Sequence, residues 1–99
     1  MIQNAGTQAI VSGTDAAIGI SGSPCRVFMI NVLSDGTAGV AILRNGTSTG
    51  GTAYVTVTGT ISIGTVFSFG TQGVLFPAGC FLDVTANVVG GCVTYSIEK

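Results

Sequence analysis

The dipeptide Gly-Thr occurs eight times in this chain of 99 residues, and it separates short segments rich in Val, Ile, Phe and Tyr. Glycine accepts the positive φ angles of tight turns, and β-branched threonine favours an extended strand after the turn. Short strands separated by regular turn signals are typical of an all-β domain. We find no helical period in the sequence. The pattern therefore predicts a single antiparallel β-sandwich over residues 1–99, either jelly-roll-like or a small barrel.

The predicted strands follow the apolar segments of the sequence. The first part of the chain, residues 1–15, could be an extended or frayed arm. Strands are predicted at residues 8–11, 16–20, 25–33, 39–44, 53–58, 60–63, 66–69, 80–88 and 92–98, with loops at residues 45–52 and 70–79.

The last two predicted strands would form a hairpin with Gly90-Gly91 as its two-residue turn. This register gives the hairpin one apolar face and one polar face, as a half-buried antiparallel pair requires. It also places Asp83 opposite Glu98. The predicted core residues are Val84, Ala86, Tyr95 and Ile97, with Val27, Phe28 and Ile30 packed against them or at an interface.

The predicted strand at residues 25–33 is mostly apolar on both of its alternating faces. A strand that is apolar on both faces is covered on both faces, and a sandwich of this size offers one core. We therefore expect the second cover to come from another copy or another protein, although residues 70–79 could fold back over the strand. The candidate interface residues are Arg26, Phe28, Ile30, Val32 and Arg44.

Charged residues make up 7% of the chain, against about 25% in an ordinary globular protein. The net charge of -1 provides no basic field for nucleic acid and no polybasic patch for a membrane surface. The chain has no histidine, which acid–base catalysis most often uses. We therefore predict no enzyme activity, no cofactor and no metal site. Asp15 and Asp35 lie in turn contexts, and we expect an arginine or lysine to pair with Asp83 or Glu98.

The three cysteines are Cys25, Cys80 and Cys92. An odd count, together with the lack of a basic and apolar secretory signal at the start of the sequence, predicts reduced thiols. Free cysteine usually packs as a small hydrophobic residue. We therefore expect all three thiols to be free and buried or half-buried.

Four segments are distinctive: Val27-Phe28-Met29-Ile30, Leu43-Arg44-Asn45-Gly46, Leu75-Phe76-Pro77-Ala78-Gly79-Cys80 and Val93-Thr94-Tyr95. Through these segments the chain resembles the small, β-rich, Gly/Thr-rich structural proteins of tailed bacteriophages. The resemblance implies a β-sandwich or small barrel that decorates capsids, joins head to tail, or builds tail and fibre parts, usually as a trimer or a higher ring. It transfers no site residues to this chain.

The interpretation favoured by these features is a capsid decoration (cement) protein. We expect it to be located in the virion after synthesis in the host cytoplasm. Its partners would be other copies of itself, most simply in a trimer, and the phage major capsid protein or another virion protein, with no nucleic acid and no membrane. The alternatives are a head–tail connector, a tail or fibre component, and a carbohydrate-binding β-sandwich module.

Overall fold

The computed structural model describes residues 5–60 and 64–98, and it contains nine strands in these ranges. The strands are β1 (Ala5–Ala9), β2 (Ala16–Ile18), β3 (Cys25–Ser34), β4 (Gly39–Asn45), β5 (Thr52–Gly59), β6 (Thr65–Ser68), β7 (Val74–Phe76), β8 (Cys80–Val84) and β9 (Val88–Ile97). No helix long and apolar enough to cross a membrane occurs among these described residues.

The strands form two antiparallel sheets. Sheet A has the order β1-β9-β3-β6, and β7 pairs with β3 beside β6. Sheet B has the order β2-β8-β4-β5. Together they form the two layers of a β-sandwich, which confirms the predicted fold class.

The pairing is nested along the chain, as in one long hairpin that has been rolled up. β4 pairs with β5, β3 with β6 and β7, β2 with β8, and β1 with β9. β6 and β7 lie along different parts of β3 and act as one interrupted strand. Rolling the hairpin also brings β9 beside β3 and β8 beside β4. This arrangement is that of a jelly roll.

The core lies between the sheets and is built from inward-facing positions of both. Aliphatic side chains and one aromatic ring dominate it, as is usual for a sandwich interior. Its largest fully buried side chains are Phe76, Ile18, Ile30, Leu43, Leu82, Val27, Val32, Val88 and Val93. Gln8 closes one side of the sandwich, because its amide donates to Ala17 O at 2.8 Å and accepts from Gly19 N at 2.9 Å.

The predicted terminal hairpin is wrong. β8 ends at Val84 and belongs to sheet B, whereas β9 begins at Val88 and belongs to sheet A. The turn lies between these strands, where Val88 N donates to Thr85 O at 3.1 Å. Gly90 and Gly91 lie within β9 and pair with β3. The chain changes sheets at this point, which a hydrophobic alternation pattern alone does not indicate.

The change of register also corrects the predicted core. Val84 is buried, but Ala86 is exposed, and Tyr95 and Ile97 are half-buried. Tyr95 packs against the rim of the core. In β9 the fully buried apolar residues are Val88 and Val93.

Two further predictions concern the ends and loops of the chain. Within the predicted arm, residues 5–9 form β1 and pair along β9, while residues 1–4 lie outside the described residues. The predicted loop at residues 70–79 contains the short strand β7. The predicted strand at residues 60–63 lies almost entirely outside the described residues.

Candidate interface

A β-bulge at Phe28 decides which side of β3 faces the core. The register between β3 and β9 shifts at this residue. Cys25 and Val27 are fully buried before the bulge, and Ile30 and Val32 are fully buried after it. The inserted residue inverts the alternation, so the predicted face carrying Phe28, Ile30 and Val32 does not exist. Ile30 and Val32 lie in the core of their own chain and are covered without a partner.

Arg26 lies on the exterior of sheet A and forms an ion pair within the chain. Its Nε donates to Glu98 Oε1 at 3.0 Å, and its Nη1 donates to Gln72 O at 2.8 Å. Ser96 Oγ donates to the other oxygen of Glu98 at 3.1 Å. The hydrogen bond from Arg26 lowers the pKa of Glu98, and the bond from Ser96 lowers it further.

Arg44 lies on the exterior of sheet B, on the opposite side of the sandwich. Its Nε donates to Asp83 Oδ2 at 3.1 Å, and its Nη1 donates to Gly51 O at 3.1 Å. The prediction that an arginine forms an ion pair with Asp83 or Glu98 is therefore confirmed for both carboxylates. The predicted position of Asp83 opposite Glu98 is wrong, because these residues lie in different sheets. The structure does not bring the predicted interface arginines, Arg26 and Arg44, together.

The remaining two carboxylates also have structural partners. Asp15 Oδ1 accepts from Val84 N at 2.8 Å. Asp35 Oδ1 accepts from Thr37 N at 3.0 Å, within the turn between β3 and β4. All four acidic side chains of the chain are thus engaged in hydrogen bonds that hold the fold. Among residues 5–60 and 64–98, no group of three or more His, Cys, Asp or Glu side chains could hold a metal ion.

Beside the Arg26–Glu98 pair, the paired positions on the exterior of sheet A carry no charged side chain, and we call this surface the neutral face. Directly paired residues of neighbouring strands lie on the same side of a sheet, so the registers define its rows. The rows are Thr7, Thr94, Met29 and Ser68, then Ala9, Cys92, Asn31 and Val66, then Gly90 and Leu33.

Large apolar side chains are exposed on or beside the neutral face. Val66 is 59% exposed within it. Leu75, which pairs with Arg26 next to the first row, is 39% exposed, and Val89, next to Gly90, is 41% exposed. The one charged pair at this end of sheet A is the Arg26–Glu98 pair, which is neutral as a unit. The surface therefore combines apolar and hydroxyl groups without a net field.

The exterior of sheet B has a different character. Asp83 on β8 pairs with Ile42 on β4, and Arg44 two residues further along β4 reaches across to it. An ion pair therefore occupies the middle of this surface. Of the two exteriors, the neutral face is the better candidate for contact with another protein, because a partner there does not have to displace water from charged groups.

The three thiols are free, as predicted, and only one of them belongs to the candidate interface. Cys25 and Cys80 are buried in the core, and half-buried Cys92 lies in the second row of the neutral face. Burial raises the pKa of Cys25 to about 11, and the nearby negative charge of Glu98 adds to this effect. Burial also raises the pKa of Cys80, with a smaller contribution from Cys25. Neither core thiol is a reactive thiolate at neutral pH.

Tyr54 is the one aromatic residue among the large exposed hydrophobic side chains of the described part of the chain. A register shift between β4 and β5 leaves Tyr54 without a directly opposite residue. Its ring stacks on the buried Phe76, with centroids 5.3 Å apart. A carbohydrate module would need a platform of exposed rings, and Tyr54 by itself does not provide one.

The neutral face was not predicted from the sequence. Its composition was visible as the absence of charge between Asn45 and Leu82 and around residues 27–33. The sides of β3 and β9 could not be assigned, because the bulge at Phe28 and the position of Gly90 in β9 emerge only from the strand registers. Comparisons with protein-family models, curated proteins and solved structures find no match to this chain.

Proposed function

We propose that this protein is a non-enzymatic structural protein of a phage virion, which binds the repeating surface of the capsid and stabilises it as a decoration protein. The observation that carries the proposal is the neutral face, an uncharged surface spread over four strands of sheet A. Contiguous surfaces with exposed apolar side chains mark protein-binding sites on small proteins. The resemblance of the sequence to phage structural proteins supplies the identity of the partner.

The size of the molecule is compatible with this role. Stable protein–protein interfaces bury about 800 Å² on each partner. The chain measures 38 × 29 × 18 Å, so a broad side of the sandwich offers an area of that order. Hydroxyl groups such as those of Thr7, Thr94 and Ser68 can hydrogen-bond to a partner at the rim of the contact, while Val66 and Met29 supply apolar area.

The use of the polar residues supports a structural role over an enzymatic one. All four carboxylates accept hydrogen bonds that hold a turn, an ion pair or the end of β8, and burial holds the two core thiols neutral. General acid–base or nucleophilic catalysis needs such groups to be free and activated. Within residues 5–60 and 64–98, this use of the polar groups favours a surface for binding over a site for chemistry.

The proposal is tested with phage particles that lack this protein. Wild-type protein is added back, and the temperature at which the particles release DNA is measured. Decoration predicts that particles without the protein break down at a lower temperature and that addition restores it. Equal breakdown temperatures with and without the protein would reject the proposal, and recovery of the protein only with purified tails would support a connector or tail component.

Two matched variants test whether the neutral face is the binding surface. Val66→Glu places a charge on this face, whereas Ile20→Glu places the same charge in the loop between β2 and β3. The two side chains are equally accessible in the isolated chain, at 59% and 58% exposure. We expect Ile20→Glu to restore particle stability and Val66→Glu to fail. Equal restoration by both variants would move the contact to another surface.

A further inference from the structure

Among the described residues, the outer edge of β5 has no partner strand. Sheet B ends at β5, and within residues 5–60 and 64–98 this strand pairs with β4 alone. The other strands at the ends of the sheets are shorter: β1 has five residues, β2 three, β6 four and β7 three, against eight in β5. The edge of β2 is also covered, because Gln8 forms hydrogen bonds with Ala17 O and Gly19 N.

The hydrogen bonds of β4 show which backbone groups of β5 face outward. Val40 N donates to Thr85 Oγ1, and Val40 O accepts from Thr85 N, so both groups of Val40 point away from β5. The backbone direction alternates along a strand, so Ala41 points towards β5 and exchanges hydrogen bonds with Val57. On β5, Thr56 and Thr58 therefore direct their N–H and C=O groups away from β4, into the open edge.

This edge lacks most of the features that prevent the edge strands of two molecules from pairing. Proteins protect such edges with charged residues, proline, very short strands or bulges. β5 has the sequence TAYVTVTG, which contains no charge and no proline. Its one irregularity is the register shift opposite Leu43 and Arg44, near the start of the strand. The half of β5 from Val55 to Gly59 is left as a regular, β-branched edge.

We propose that β5 of a second copy of this chain pairs antiparallel with this edge, about a two-fold axis through Val57. In this register Thr56 lies opposite Thr58 of the second copy, and these are the residues whose backbone groups point outward. The pairing is self-complementary, because both threonine side chains are exposed on the same side of the sheet. A symmetric pair places β5 of one copy opposite β5 of the other, so any charge on this strand would lie near a like charge of the second copy. The uncharged sequence of β5 avoids this repulsion.

The dimer joins two four-stranded sheets into one continuous sheet of eight strands. The two-fold axis of such a pair is perpendicular to the sheet, so the neutral faces of both copies point to the same side. Two linked binding surfaces raise the affinity for a repeating lattice without any new contact type. This consequence rests on the proposed function, whereas the dimer itself does not. It replaces the trimer expected from the sequence with a two-fold assembly.

Sedimentation equilibrium at several protein concentrations tests the dimer. The wild-type protein is expected to reach twice the chain mass of 9.8 kDa. Thr58→Pro removes an outward N–H without removing a bond to β4, and proline is tolerated where a strand N–H faces solvent. Because the dimer contains this bond twice, Thr58→Pro should weaken it by at least about tenfold. Thr58→Val keeps the amide and the β-branch, and should dimerise like the wild type.

A second variant and a second measurement guard against misfolding of the proline variant. Thr56→Lys combined with Thr58→Lys leaves every backbone bond in place and brings like charges together across the two-fold axis, so it should be monomeric with an unchanged circular dichroism spectrum. In amide hydrogen exchange, Thr56 and Thr58 should become protected only at high protein concentration, whereas Val57 should be protected throughout.

Three results would each overturn the proposed dimer. A wild-type protein that stays at the chain mass at all concentrations overturns the dimer. So does a wild-type mass of three chains, or a dimer that survives in the double lysine variant at low salt. None of these results bears on lattice binding, which is measured on particles with Val66→Glu. Loss of particle stabilisation in Val66→Glu with an intact dimer would in turn leave the β5 pairing standing.

Discussion

At the scale of single residues, the core holds two free thiols among its aliphatic side chains. Cys25 begins β3 in sheet A, and Cys80 begins β8 in sheet B. Both act as small hydrophobic residues. Burial disfavours their charged form, which is why the pKa of Cys25 rises to about 11 and that of Cys80 rises as well. Each therefore stabilises the fold only as a neutral thiol.

We predict that the free energy of unfolding falls as the pH rises from 9 to 11. An unfolded thiol loses its proton near its ordinary pKa of 9.0, whereas folded Cys25 keeps its proton to about 11. Between these values the folded state binds more protons than the unfolded state, so alkali favours unfolding. Urea unfolding at a series of pH values measures the slope. Cys25→Ala combined with Cys80→Ala should flatten it, because the two buried thiols are then absent; an unchanged slope would contradict the assignment to these thiols.

At the scale of strands, the sequence pattern predicts where most strands lie, but it does not predict which side of each strand faces the core. Alternation and turn residues correctly predicted strands close to β3, β4, β5 and β6. A bulge is one extra residue, and it reverses every side chain after it. The bulge at Phe28 has no signature in the local sequence, so the buried side of β3 was predicted for only part of its length. The predicted interface is wrong for the same reason, because it assigns Phe28, Ile30 and Val32 to one face from the same unbroken alternation.

The paired glycines of β9 misled the prediction for a related reason. Gly-Gly is a strong turn signal, but Gly91 lies within β9, directly paired with Val32 of the neighbouring strand β3. Its φ of 122° is in the region that favours glycine, and a Cβ at this position would collide with the backbone oxygen of Asn31. The close approach is a tertiary feature, and a sequence read strand by strand cannot distinguish it from a turn.

We predict that Gly91→Ala is much more destabilising than Gly36→Ala. Gly36 also has a positive φ, of 98°, but a Cβ there would have nothing within 4 Å. Gly36→Ala should therefore cost only the backbone strain, about 1–3 kcal/mol. Gly91→Ala carries a similar strain and must also push β9 away from β3. Denaturant unfolding of the two variants measures the difference, and equal losses of stability would mean that the close approach of the strands is not needed.

At the scale of the whole molecule, charge is distributed so that little of it acts at a distance. Of the seven charged residues, four form the pairs Arg26–Glu98 and Arg44–Asp83 within the chain. This scarcity of charge is visible in the composition. The composition could not predict which surface stays uncharged, because that depends on how the two arginines are placed on opposite sides of the sandwich. A nearly neutral molecule resists association weakly, and its contacts depend on apolar area and backbone hydrogen bonds.

We therefore predict that dimerisation of the wild-type protein is almost independent of sodium chloride. Raising the salt from about 0.1 M to about 1 M shortens the Debye length from about 10 Å to about 3 Å, which removes most interactions between exposed charges. The β5 edge carries no charge to screen, so the dissociation constant from sedimentation should change by less than about threefold, or about 0.7 kcal/mol. The Thr56→Lys and Thr58→Lys double variant should behave in the opposite way and recover dimer in high salt, because screening relieves its repulsion. A wild-type dimer that dissociates in high salt would instead place a charged group, such as Arg44 beside β5, in the contact.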